Sequence, residues 1–199
     1  MLQAVPVADP AAEVTDWWRV VERCMPSHET CGALTFTPAG VETFDADWEG
    51  WLTSTFLPVL HPGLQALQMA VAAQDLEALA REDTTLGAGL PAAAAERSLT
   101  AGRHLLLSFA PPQSVRLLDR LRAMAEEQTT FGQLAAVFAV RGQIFHLPSV
   151  QVTGAFLLAE CVLGADAAGL TLPAGRTVAL LQGALEGLAR EPVPRLLAV

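Results

Sequence analysis

The sequence predicts an all-α fold, a single compact helical domain of eight or nine helices over residues 1–199. Hydrophobic residues make up 52% of the chain and charged residues 17%, which is enough apolar material for a buried core. Ala and Leu dominate the apolar set and β-branched residues are few, a balance typical of packed helices. Apolar side chains recur every three or four residues, whereas the alternating pattern of strands is scarce.

Capping residues predict where the first two helices begin. Asp9 is expected to cap a helix with Pro10 at its first position, where the missing N–H of proline costs nothing. Prolines, glycines and threonines then predict an ordered loop over residues 24–44. Asp45 or Asp47 is expected to cap the second helix, whose aromatic residues recur at helical spacing.

Prolines and glycines divide the rest of the chain into further helices. Pro58 and Pro62 are expected to interrupt the helical run, because proline removes a backbone donor and clashes with the preceding turn. A loop over residues 164–175 is predicted to separate the last two helices. The other helices are predicted over residues 64–73, from 75, over 92–109, from 114, and over 130–140, 149–163 and 176–189.

The acidic balance of the chain limits its partners. The net charge is −9, with 12 Lys and Arg residues against 21 Asp and Glu, and lysine is absent. Such a chain repels phosphate backbones, so nucleic acid is not an expected partner. The most apolar stretch, residues 134–163, is broken by Arg141 and Pro148 into pieces shorter than the ~20 residues of a membrane span. With no signal-peptide pattern in residues 1–10, the expectation is a cytoplasmic protein that does not bind membranes.

Sequence motifs of catalysis are missing, so we predict that the protein is not an enzyme. There is no phosphate-binding Walker loop, no dinucleotide fingerprint and no His-Glu-x-x-His zinc motif. His104 and His146 are interpreted as structural histidines rather than catalytic bases.

The best candidate for a metal site is the set Cys24, His28 and Cys31. On a helix the three side chains would share one face, and thiolate and imidazole suit zinc or nickel. Pro26 and Gly32 argue against a continuous helix, and a closed structural site needs a fourth ligand. The preferred interpretation is two buried cysteines and a loop histidine, with no bound metal or cofactor. The alternative is a metal-binding protein or an enzyme that uses these three residues.

Four residues depart from what an apolar helix prefers. Glu160 and Gln151 are interpreted as a hydrogen-bonded pair or as an edge that faces solvent, with a polar channel or interface as the alternative. Gly102 and Gly132, inside predicted helices, each cost about 1 kcal/mol relative to Ala. Close approach between helices would explain both glycines.

Four segments, read in order, carry a family pattern. Residues 78–109 join an acidic helix to a Ser-x-x-x-Gly-Arg-x-Leu-Leu core, and residues 130–136 hold a Phe-Gly pair before small residues. Residues 170–177 contain Leu-Pro-Ala-Gly-Arg-Thr, and residues 32–42 end in a looser match that keeps Gly40 and Glu42. In their order and spacing these segments resemble the urease accessory protein UreF family.

The resemblance implies a UreF-like helical fold and a role without covalent chemistry. Members of the family form homodimers, bind the scaffold protein UreH (also called UreD), and bring the nickel-carrying GTPase UreG to apo-urease. Nickel would thus belong to the pathway and not to this chain as a cofactor. By position, the structural residues are Gly102, Gly132, Pro173 and Gly175, and the candidates for partner contacts are Arg103, Arg176 and Glu42.

Two further features bear on association. The mean hydropathy of +0.37 predicts self-association as a dimer, because exposed apolar patches mark interfaces. The aromatic, arginine-bearing tail of the family has no counterpart in residues 196–199, which predicts a divergent member whose contact with UreH is weakened or remade. The alternative is a helical interaction module that kept the fold and is not tied to urease.

Overall fold

The protein is described by a computed structural model over residues 10–26, 32, 34–108, 116–127 and 131–190. These residues form helices and no β-strand, which confirms the predicted all-α fold. The helices are α1 (Pro10–Cys24), α2 (Phe44–Trp51), a π-helical segment (Leu52–Leu60), α3 (His61–Ala72), α4 (Leu76–Gly89), α5 (Ala92–Ser108), α6 (Arg116–Glu127), α7 (Leu134–Ile144), α8 (Ser149–Ala167) and α9 (Ala174–Arg190).

The helix α2, the π-helical segment and α3 follow one another without a break. The expected interruption at Pro58 and Pro62 is therefore wrong. Pro58 lies inside the π-helical segment, so the chain accommodates this proline by a local change of helix type and not by a break. Pro62 is the second residue of α3, directly after the π-helical segment, and the helical run continues through it. Counted with α2, the π-helical segment and α3 as one continuous helix, the described residues contain eight helices.

The start of α2 also differs from the prediction. The residue before the helix is Thr43, and neither Asp45 nor Asp47 acts as its cap. The carboxylate of Asp47 instead accepts hydrogen bonds from the backbone N–H of Ala39 at 2.8 Å and from the Thr43 hydroxyl at 2.7 Å. Asp47 therefore fixes the loop that leads into the helix.

The predicted boundaries of the later helices shift by several residues. The helix α7 begins at Leu134 rather than 130, and α8 runs to Ala167 rather than 163. The helix continues through Gly164, where the absence of a side chain leaves room for the Phe36 ring. The packing of that ring outweighs the small cost of a helical glycine.

The helices α7 and α8 form the centre of the core. Nearly all their side chains from Leu134 to Gly142 and from Val152 to Ala165 are buried, and the rings of Phe138 and Phe156 meet edge to face, 5.2 Å apart. Of the described helices, α8 alone is long and apolar enough to cross a membrane, but neighbouring helices bury most of it. Its composition is therefore that of a core helix.

Candidate functional site

The start of α7 is where the first two family-like segments meet. The Asp83 carboxylate on α4 accepts hydrogen bonds from the backbone N–H groups of Gly132, at 2.9 Å, and Gln133, at 2.8 Å. The Ser98 hydroxyl on α5 accepts one from the N–H of Leu134 at 3.2 Å. These contacts satisfy backbone donors that the beginning of a helix leaves open. Burial raises the pKa of Asp83 to about 6, against the lowering effect of its two backbone hydrogen bonds.

Gly102 allows α5 to touch the backbone of the same segment. A Cβ atom at this position would lie 2.8 Å from the carbonyl carbon of Gln133 and from the nitrogen of Leu134, and closer still to the Gly132 oxygen. Gly132 lies before α7 and not inside a helix as predicted, and its φ of +112° is a conformation that favours glycine. Both glycines therefore serve one close contact between two backbones.

Arg103 follows Gly102 on α5 and takes part in the same junction. Its Nη1 donates a hydrogen bond to the carbonyl oxygen of Phe131 at 3.3 Å. Its side chain is only partly exposed. The guanidinium of this candidate partner contact is thus used within the fold.

Arg176 belongs to the family-like segment 170–177, and it contacts residues that follow the family-like segment 32–42. Its Nη2 donates to Oδ1 of Asp45 at 2.7 Å, and its guanidinium lies 5.8 Å from the centre of the Phe44 ring. The side chains of Arg176 and Asp45 are 37% and 60% exposed. Glu42, also exposed, lies three residues before Asp45. Two of the three candidate partner residues therefore belong to neighbouring, accessible parts of the surface.

The remaining structural candidates, Pro173 and Gly175, lie at the start of α9. The carbonyl oxygen of Pro173 accepts hydrogen bonds from the N–H groups of Arg176 and Thr177, both at 3.0 Å. A side chain at position 175 would meet no atom within 4 Å. Pro173 thus anchors the first turn, whereas neither packing nor backbone conformation requires glycine at 175.

The buried carboxyl group of Glu160 holds the loop before α2. Glu160 on α8 accepts hydrogen bonds from the Thr35 hydroxyl at 2.6 Å and from the N–H of Phe36 at 2.8 Å. Arg97 on α5 donates to the carbonyl oxygen of Leu34 at 2.6 Å. The expected pairing of Glu160 with Gln151 or with solvent is wrong, because its partners come from a loop 125 residues earlier.

The environment of Glu160 changes its acidity. Burial raises the pKa of this carboxyl to about 7, while its hydrogen bonds to Thr35 and Phe36 and the charge of Arg97 act in the opposite direction. A carboxyl with this pKa is partly protonated at neutral pH. Its function in this structure is to attach the loop to the core.

The candidate metal ligands are only partly within the described residues. Cys24 is buried at the end of α1, and burial raises the pKa of its thiol to about 12, against the effects of the Arg141 and Arg23 charges. His28 and Cys31 lie outside the described residues. Among those described, no group of three His, Cys, Asp or Glu residues could hold a metal ion.

Comparison of the chain with models of protein families, with characterised proteins and with solved structures finds no match. The resemblance to the UreF family therefore rests on the four segments of the sequence.

Proposed function

We propose that this chain is a cytoplasmic, non-enzymatic adaptor of the UreF type. In this role it would join a UreH- or UreD-type scaffold and a UreG-type GTPase to apo-urease during nickel insertion. The observation that carries the proposal is that two of the four segments that resemble the family, residues 78–109 and 130–136, pack against each other. These two segments meet where Gly102 contacts Gly132. In the segment 170–177, Arg176 reaches Asp45, which lies just beyond the segment 32–42.

The buried polar groups favour a role in binding rather than in catalysis. Both oxygens of Asp83 and both oxygens of Glu160 accept hydrogen bonds that hold the fold together. Burial raises the pKa of Cys24 and of Cys161 to about 12, which keeps both thiols protonated and weakly nucleophilic. These groups are engaged in structure, as expected for a protein that acts through its surface.

The surface near Arg176 is the proposed contact with a partner. An arginine fork suits a carboxylate, and Arg176 is exposed enough to exchange Asp45 for a carboxylate of another protein. An exposed ion pair of this kind is worth at most about 1 kcal/mol, so its loss on binding costs little.

The adaptor proposal predicts a complex with the accessory proteins of the same host. The tagged chain, co-expressed with the host's UreH-type and UreG-type proteins, is expected to co-purify with both. Arg176→Glu is expected to weaken binding at least ~30-fold, because charge reversal at an interface anchor costs about 2 kcal/mol or more. Titration calorimetry or surface plasmon resonance with the purified partners measures the change.

Two control variants separate partner binding from local structure. Asp45→Ala removes the same ion pair but keeps Arg176, and binding should be preserved. Arg19→Glu reverses an exposed arginine that is likewise paired with an aspartate, Asp16, and should have no effect. Equal weakening by Asp45→Ala would contradict a direct contact of Arg176. If neither host protein co-purifies, the urease role is wrong and the helical interaction module remains.

The proposal includes the homodimer of the family. Static light scattering of the purified chain at micromolar concentration is expected to give twice the chain mass of 21.0 kDa. A monomer across that range would contradict this part of the proposal while leaving the binding of UreH-type proteins open to its own test.

A further inference from the structure

A groove with a volume of about 600 Å³ lies between α3 and the junction of α7 with α8. This volume is within the range of about 300–1,000 Å³ that is typical of small-molecule sites. Small residues, Ala72, Ala139 and Gly142, are interspersed along the groove with the larger apolar side chains of Met69, Leu147 and Val152. The groove shares no lining residue with the surface proposed for partner binding.

Every side chain that lines the groove is uncharged. The polar ones are three amides, Gln65, Gln68 and Gln143, and the hydroxyl of Ser149. The Ser149 hydroxyl donates to the Gln68 amide oxygen, and the buried amide nitrogen of Gln68 has no hydrogen-bond partner among the described residues. An ion bound here would lose its hydration without gaining a counter-charge, which is costly. The lining therefore favours an uncharged ligand that can exchange hydrogen bonds with the exposed amides of Gln65 and Gln143.

The groove is elongated. The lining residues of α3 run from Pro62 to Ala72, a length of about 15 Å at about 1.5 Å per residue. A volume of about 600 Å³ spread over that length suits a slender small molecule, such as a ring system or an acyl chain.

We propose that this groove binds an elongated, uncharged small molecule with an apolar body and a hydrogen-bonding group that meets the glutamine amides. Met69, on the groove, is 61% exposed, and Val150, between lining residues Ser149 and Val152, is also 61% exposed. A ligand of this kind would cover apolar surface that the isolated chain leaves in water. The site goes beyond the adaptor role and does not depend on it.

Two fluorescent probes of different charge test the proposal. N-phenylnaphthylamine is uncharged and has an aromatic body with one N–H group, and anilinonaphthalene sulfonate adds an anionic sulfonate to the same skeleton. The uncharged probe is expected to bind the wild-type chain saturably. The anionic probe should bind at least about ten-fold more weakly, because its charge is not compensated in the groove.

Matched variants locate the binding. Ala72→Trp fills the groove and Met69→Arg places a charge at its edge, and each should weaken binding of the uncharged probe at least about ten-fold. Both original side chains are exposed, so folding should survive, which circular dichroism and thermal unfolding check. Ala179→Trp on α9 and Leu107→Arg on α5 make the same changes at exposed positions outside the groove and should leave binding unchanged.

Three results would overturn the proposal. The first is binding of the two probes with equal affinity, or no binding of the uncharged one. The second is unchanged binding of the uncharged probe both in Met69→Arg and in a folded Ala72→Trp. The third is a dimeric wild type that becomes monomeric in both groove variants, which would assign the groove to contact between two copies of the chain. A failure of the chain to bind accessory proteins has no bearing on these results.

Discussion

Gly102→Ala is expected to lower the free energy of unfolding by about 3 kcal/mol, the upper end of the cost of overpacking. The added methyl group would overlap the backbone of residues 132–134, and a backbone held by Asp83 and Ser98 cannot move aside as the end of a flexible side chain can. Urea unfolding followed by circular dichroism measures the change in midpoint.

Gly183→Ala is the matched control for this prediction. Gly183 lies inside α9, and a methyl group there meets no atom within 4 Å. The change should be neutral or stabilising by up to about 1 kcal/mol, because alanine is the better helix former. If both variants unfold at the same urea concentration, α5 and the segment before α7 are not in backbone contact.

Glu160→Gln is expected to stabilise the protein at pH 8, by up to about 3 kcal/mol, and to have little effect near pH 5. The folded-state pKa of Glu160 is raised from its ordinary 4.5 to about 7. Between these values the unfolded chain releases its proton first, so the free energy of unfolding of the wild type falls as the pH rises, and the loss is complete above the folded-state pKa. The glutamine does not titrate, so this loss disappears.

The amide of glutamine can also keep both hydrogen bonds. Its oxygen can accept from the N–H of Phe36, and its nitrogen can donate to the Thr35 hydroxyl, which is able to act as acceptor. Glu160→Ala should instead destabilise the chain throughout this pH range, because the buried N–H of Phe36 then has no acceptor. The pKa of Asp83 is also raised, but Asp83 is present in all three proteins and contributes the same pH dependence to each. The difference in unfolding free energy between a variant and the wild type therefore reports Glu160. Parallel pH profiles for wild type and Glu160→Gln from pH 5 to pH 8 would contradict the prediction.

The helical class could be predicted from the sequence because helical periodicity is local. The predicted break at Pro58 failed because a proline's effect depends on the type of turn around it, and single-residue preferences do not signal a π-helical turn. The partners of the buried carboxylates could not be predicted for another reason. The partners of Asp83 and Glu160 lie 49 or more residues away in the chain, and only the folded arrangement brings them together.

The candidate site shows the same division. The sequence pattern singled out Gly102 and Gly132 separately, but it did not predict that they are in contact. It placed Arg176 and Glu42 among possible partner contacts, but not the ion pair of Arg176 with Asp45, which spans 131 residues. The groove lined by α3, α7 and α8 had no sequence signal, because alanine, glutamine and methionine are common on any helix. A groove of this kind is set by the distances between helices, which appear only in the folded structure.

The attachment of residues 34–36 to Glu160 and Arg97 has a consequence for exchange with solvent. This segment has no regular secondary structure, yet its N–H of Phe36 is bonded to a side chain of the central helix. Backbone amides of ordinary loops exchange with deuterium through small local openings. Exchange at Phe36 instead requires α8 to give up its buried carboxyl group, so this amide should be protected as long as those of the core helices. Although it is a loop in geometry, the segment is expected to exchange on the timescale of the core helices.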